Sequence, residues 1–220
     1  AVGASGPFGA WRNALANREL SPATILFVGD SLVEGQGASA KDKRWLDLLI
    51  GQLRATYPTA GSSVGGEGFI PAYHAVYGPN STWATTGWTY TGSPSFTANT
   101  SLAPGYRSAS LPTGSSAART VTGTSVDIWY VKGAGSFTYK VDSAAAVTVD
   151  ASTGTGAGVV RVSLGTSGDH TVTVTSTATF RFSGLTVYNG DESKGIRMIE
   201  SAKTGLQSTA FLDHGPLADQ

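Results

Sequence analysis

The chain has 220 residues, room for one large domain or two small ones, with 40% apolar residues and only 14% charged residues at zero net charge. That balance excludes the basic footprint that nucleic acid requires and the polybasic face that seeks an anionic membrane surface. There is no cysteine for a disulfide or a thiolate metal site, and no apolar run approaches the ~20 residues that span a bilayer.

Trp11 to Leu20 carries Trp11, Leu15 and Leu20 among polar residues, predicting a short helix that Ser21-Pro22 ends. Thr24 to Val28 is an apolar, branched run cut off at Gly29, which predicts a buried strand. Ser31 then stands just before a helix, at the end of the sheet where α/β proteins bind ligands. Ser31 is therefore a candidate nucleophile whose own N–H faces a developing oxyanion; the competing role is a plain helix cap. Gly35 to Ala40 matches a Gly-x-Gly-x-x-Ala dinucleotide pattern, but it does not follow its strand directly, and no cofactor is expected. Lys41 to Tyr57 predicts an amphipathic helix with Trp45, Leu48, Leu49, Leu53 and Tyr57 on one face, ended by Pro58.

From Ala60 to Gly123 the chain is rich in Gly, Ser, Thr, Pro and aromatic residues, with a loop at Gly65 to Pro71. Alternation then takes over, at Val126, Ile128 and Tyr130 and at Phe137, Tyr139 and Val141. It continues at Val147 and Val149, at Val160, Val162 and Leu164, at Val172 and Val174, and at Phe180 and Phe182. Turns are expected at Lys132–Gly135, Thr153–Gly156 and Thr166–Asp169. Such short period-two strands predict an antiparallel, jelly-roll-like β-sandwich. Trp83, Trp88, Tyr90 and Phe96 precede it; they either stack on sugars or, the favoured reading, fill the core.

Near Leu185 the pattern reverts: Gly195 to Glu200 reads as a strand, Ser201 to Gly205 as a turn, and Leu206 to Leu212 as the start of a helix. The fold class expected is α/β, an incomplete parallel sheet interrupted by an antiparallel insert. Residues 1–60 and 185–220 form the α/β part, and 61–184 the β-sandwich insert, a candidate carbohydrate binder.

Gly29-Asp30-Ser31-Leu32 behind an early strand resembles the first sequence block of the SGNH, or GDSL, hydrolases. These are flavodoxin-like α/β esterases and acyl hydrolases with a Ser-His-Asp triad. Ile199 to Leu206 resembles their second block, whose glycine donates a backbone N–H to the oxyanion. The resemblance implies Ser31 as nucleophile and Gly205 as oxyanion donor, with Gly65, Gly66 and Gly68 as competitors for the second role. The family's Gly-x-Asn-Asp and late Asp-x-x-His blocks do not appear. Asp213-His214 is adjacent and comes too soon, while His74 and His170 lie in the insert.

Two parallel strands, where the family has five, cannot cover the surrounding helices. The resemblance therefore implies an amino-terminal part of a longer hydrolase, partnered by its missing carboxy-terminal part, which supplies the triad His and Asp. The implied substrate is an ester or acetylated glycan; the alternative is a non-catalytic glycan-binding or phage-tail surface module. A start at Ala1 fits a processed product or an excised piece. Low charge with Gly, Ser, Thr and Ala enrichment fits a secreted, extracellular or virion-surface setting. Asn80-Ser81-Thr82 and Asn99-Thr100-Ser101 match glycosylation acceptors, as Thr-rich loops commonly do.

Overall fold

A computed structural model describes residues 8–60, 66–73, 87–98, 104–202 and 205. Helix α1 (Gly9–Ala16) buries Leu15 and ends short of the predicted boundary, leaving Leu20 exposed. Strand β1 (Ala23–Gly29) follows. It pairs in parallel with the last strand, β11 (Ile196–Ala202), in a register running from Ala23 opposite Ile196 to Gly29 opposite Ala202. β11 thus extends through Ser201 and Ala202, where the sequence predicts a turn.

Ala23 and Phe27 of β1 and Ile196 and Met198 of β11 meet Leu15, Leu46 and Ile50 in a small core. On the opposite face, the β1 residues Thr24, Leu26 and Val28 are exposed. β1 is therefore half-buried, not the fully buried strand that its apolar run predicts, because among the described residues helices cover one face only. Helix α3 (Trp45–Thr56) corrects a second expectation. Leu46, Ile50 and Leu53 are the residues turned to the core, while Trp45, Leu48, Leu49 and Tyr57 are exposed. The helix is apolar on both sides, and the i, i+4, i+7 stripe from Leu46 is the one that meets the sheet.

Between β1 and β11 the chain builds a nine-stranded antiparallel sheet. Its strands are β2 (Gly68–Pro71), β3 (Thr89–Thr91), β4 (Ser95–Ala98), β5 (Arg107–Leu111) and β6 (Ser116–Val131). They continue with β7 (Ser136–Val141), β8 (Val147–Asp150), β9 (Ala157–Ser176) and β10 (Phe180–Tyr188). The order is β4-β5-β10-β6-β9-β7-β8, with β2 added to β10 and β3 to β6.

The turn expected at Thr166–Asp169 lies inside β9, which pairs with β6 from Ser116 to Val131. The register shifts between Gly123 and Ser125, and Gly168 stands opposite Gly123. A side chain at Gly123 would strike the Tyr188 carbonyl, so this bulge bends the ribbon at a point where only glycine fits. The long strands thereby carry one sheet around its own core, in place of the separate sheets of a sandwich. Ile128, Phe137, Phe180, Phe182, Leu185 and Val187 are fully buried there, each worth about 1.5–3 kcal/mol of apolar burial.

The aromatic residues before the long strands close this core. The Trp88 indole N–H donates to the Pro71 carbonyl at 3.0 Å, and its ring meets Phe182 edge-on at 4.8 Å. The Tyr90 hydroxyl donates to the Ala72 carbonyl at 2.7 Å, and burial pushes its pKa upward. Phe96 packs edge-on to Tyr90. These rings fill space and offer no open sugar platform; Trp83 lies outside the described residues. No helix among the described residues is long and apolar enough to cross a membrane.

Candidate active site

β1 ends at Gly29, where a Cβ would run into the Val33 side chain. Asp30, not Ser31, caps the short helix α2 (Ser31–Glu34), accepting the Leu32 N–H at 3.0 Å. Ser31 is thus the first helical residue. It is half-buried, and its hydroxyl makes no hydrogen bond among the described residues. Its carbonyl accepts the N–H groups of Gly35 and Gln36 at 3.0 and 2.7 Å. Gly35 ends the helix in the left-handed region, so the Gly-Gln-Gly stretch is a helix terminus and opens no further helix from a strand.

Gly29 and Ala202 are register partners, so β1 and β11 end level. Ser31 follows one tip and Gly205 the other. Gly205 is exposed, in a turn with φ of 74°, a conformation that favours glycine. The parallel pairing brings these two segments to one end of the sheet. The competing glycines have packing roles. Cβ atoms at Gly66 and Gly68 would strike the backbone of Val187 and Met198, where the chain crosses β10 and β11 closely; Gly65 lies outside the described residues.

Among the histidines, His74 and His214 lie outside the described residues, as does Asp213. His170 belongs to β9 and is held by Asp142, with Nδ1 to Oδ2 at 2.9 Å. That hydrogen bond raises the His170 pKa and lowers that of Asp142. Among the described residues no group of three or more His, Asp or Glu is arranged to hold a metal ion.

A cluster that sequence reasoning did not single out lies beneath the strand ends. Glu34, Arg44, Arg107 and Glu200 are buried charges. Arg44 Nη1 meets Glu200 at 2.5 Å, and Arg107 reaches Glu34 at 2.6 Å and Glu200 at 3.0 Å. Arg107 also donates to the carbonyls of Tyr73, Gly105 and Ala202. Burial works against the Arg44 cation, but Glu200 and Asp47 overcome it and hold the pKa above the usual arginine value. The chain of charges continues outward from Asp47 to Lys41 at 3.7 Å, Lys41 to Glu67 at 2.6 Å, and Glu67 to Arg119 of β6 at 2.9 Å. Lys41 and Arg119 outweigh the burial of Glu67 and keep its carboxylate below the normal range. Glu200, a charge inside the apolar strand Ile196–Ala202, was the available signal: such a residue is seldom fully buried unless paired.

A mostly apolar cavity of about 210 Å³ lies between the antiparallel sheet and β11, lined by Phe69, Trp129, Tyr188, Arg197, Ile199 and Glu200 among others. The Tyr188 ring there has the guanidinium groups of Arg161 and Arg197 at 4.5 and 5.4 Å from its centre.

No family model matches this chain, and no curated protein matches it. A solved peptidoglycan O-acetylesterase is similar over 93% of this chain and 55% of its own, with TM-score 0.61 and 16% identity. A two-domain esterase active on acetylated mannans matches 61% of this chain and 40% of its own, with TM-score 0.41 and 19% identity. A family two carbohydrate esterase from Cellvibrio japonicus covers 56% and 33%, with TM-score 0.38 and 14% identity. The first shows a shared fold; the other two are too distant to carry an argument. The chain spans about half the length of the O-acetylesterase it resembles.

Proposed function

We propose that this chain is part of a serine ester hydrolase of the SGNH type that removes acetyl or other acyl groups from a glycan or small ester. The observation that carries the reading is the level ending of β1 and β11, which puts the segments of Ser31 and Gly205 at one end of the parallel sheet. The Ser31 hydroxyl attacks the ester carbonyl and gives its proton to a histidine. The N–H groups of Ser31 and Gly205 hold the oxyanion. Collapse expels the alcohol, which takes the proton back, and water then releases the acid from the acyl-serine by the same steps.

The histidine and its aspartate come, in this proposal, from chain outside this sequence. The far edge of β1 has no strand partner among the described residues. Leu26 and Val28 are exposed on one side of that sheet, and Leu32, Trp45 and Leu48 are exposed too. A parallel strand added to β1, with helices over it, would cover such surfaces. An extracellular setting suits an enzyme acting on glycans.

Ser31→Ala in the full-length protein abolishes acetate release from an aryl acetate. Undiminished release would remove Ser31 from the mechanism. The second reading is a glycan-binding module without catalysis. Glycan binding by a protein with no esterase activity would establish it.

A further inference from the structure

We propose that Arg107, delivered by the antiparallel sheet, is a positioning residue that holds the proposed nucleophile and oxyanion segments in register; this rests on the reading of Ser31 and Gly205 given above. Arg107 opens β5 and is anchored to its own module by the carbonyls of Gly105 and Tyr73, at 3.2 and 3.1 Å. Further bonds cross to helix α2 and strand β11. Nη1 meets Glu34, in the helix that Ser31 begins, at 2.6 Å. Nη2 meets Glu200 and the carbonyl of Ala202, the last residue of β11, both at 3.0 Å. One guanidinium therefore touches both segments that lead to the site.

The chemistry is specific to arginine. Its planar fork presents donors in fixed directions and stays charged, whereas a lysine ammonium is a single point on a flexible stem. Burying such ions is a poor way to gain stability compared with apolar packing of similar shape. What the cluster supplies is orientation: Glu34 fixes the helix, Ala202 fixes the strand tip, and Arg107 fixes each relative to the other. The antiparallel module is then a wall of the site's frame, not an appended binding unit.

The test is Arg107→Lys in the full-length protein, read by aryl acetate kinetics and by amide hydrogen exchange. The expected result is a folded protein whose kcat falls roughly 10–100-fold, with KM within about twofold of wild type. Exchange accelerates at residues 30–35 and 200–202 and stays unchanged in β6 and β9. Wild-type kcat with unchanged exchange would overturn the proposal, and so would faster exchange spread evenly over the whole molecule. If the lysine variant does not fold, Glu34→Gln, which keeps the side chain's shape, is read in the same way. If the wild-type protein hydrolyses no ester, the enzymatic reading fails, and the local exchange pattern alone decides whether Arg107 clamps the two segments.

Discussion

Gly29 of β1 lies directly opposite Ala202 of β11, the terminal partners of a parallel pairing whose other end joins Ala23 to Ile196. Chain from opposite ends of the sequence therefore leaves the sheet at one level, and the sharp exit after Gly29 depends on the absence of a side chain there. Gly29→Ala places a methyl against the stiff, branched Val33. The expected cost is about 1–3 kcal/mol, read as a lower urea midpoint with an unchanged slope.

Glu200 joins Arg44 and Arg107 out of contact with water. Glu200→Gln keeps the shape and removes the charge, leaving buried guanidinium groups short of a counter-ion. Stability falls by about 3–5 kcal/mol, measured by equilibrium unfolding. A loss well under 1 kcal/mol would show that solvent or other charges take over the pairing.

Trp88 is nearly buried and packs on Phe182. Trp88→Ala costs about 3–5 kcal/mol through the cavity it leaves, seen as a fall in Tm. Glycan affinity of the folded variant remains that of wild type, because the ring fills the core and has no open face for a sugar.

The His170–Asp142 pair makes stability depend on pH. The His170 pKa is raised in the fold, first by the Asp142 hydrogen bond and then by the Thr166 carbonyl and the Asp142 and Asp169 charges. Its contribution is complete below the unfolded histidine value and is lost as pH rises through the folded one. The Asp142 pKa is lowered, first by His170 and then by the Thr171 N–H. Its contribution is complete above the unfolded aspartate value and is lost as pH falls through the folded one. Both operate between about pH 4 and about pH 6.5. His170→Asn therefore narrows the stability difference between pH 5.5 and pH 8.5, measured by urea unfolding at each pH.

Much of this architecture is legible in the chain because its signals are local. An apolar run stopped by Gly29, with Asp30 and Ser31 behind it, reads as strand and helix without help from distant residues, although the cap is Asp30 and not Ser31. Period-two alternation likewise announces β6 to β10, whereas β2 to β5 lie in the Gly- and Thr-rich stretch, β2 inside the loop expected at Gly65 to Pro71. α3 misleads because Trp45, Leu48 and Leu49 form a stripe as apolar as that of Leu46, Ile50 and Leu53; only the position of the sheet decides between them. β9 misleads because Gly168 looks like a turn, yet it sits opposite Gly123 in a bulged ribbon. The buried charges are the least legible part. Arg44 and Glu200 stand 156 positions apart and Glu34 and Arg107 stand 73 apart, and no local pattern announces a pairing that the tertiary fold creates.

Mass spectrometry of the full-length protein after treatment with a fluorophosphonate tests whether Ser31 is the nucleophile. An activated serine forms a covalent phosphonyl adduct, expected on the peptide containing Ser31, with none in Ser31→Ala. An adduct on another serine, or an enzyme that still hydrolyses esters with Ser31 unlabelled, would contradict it.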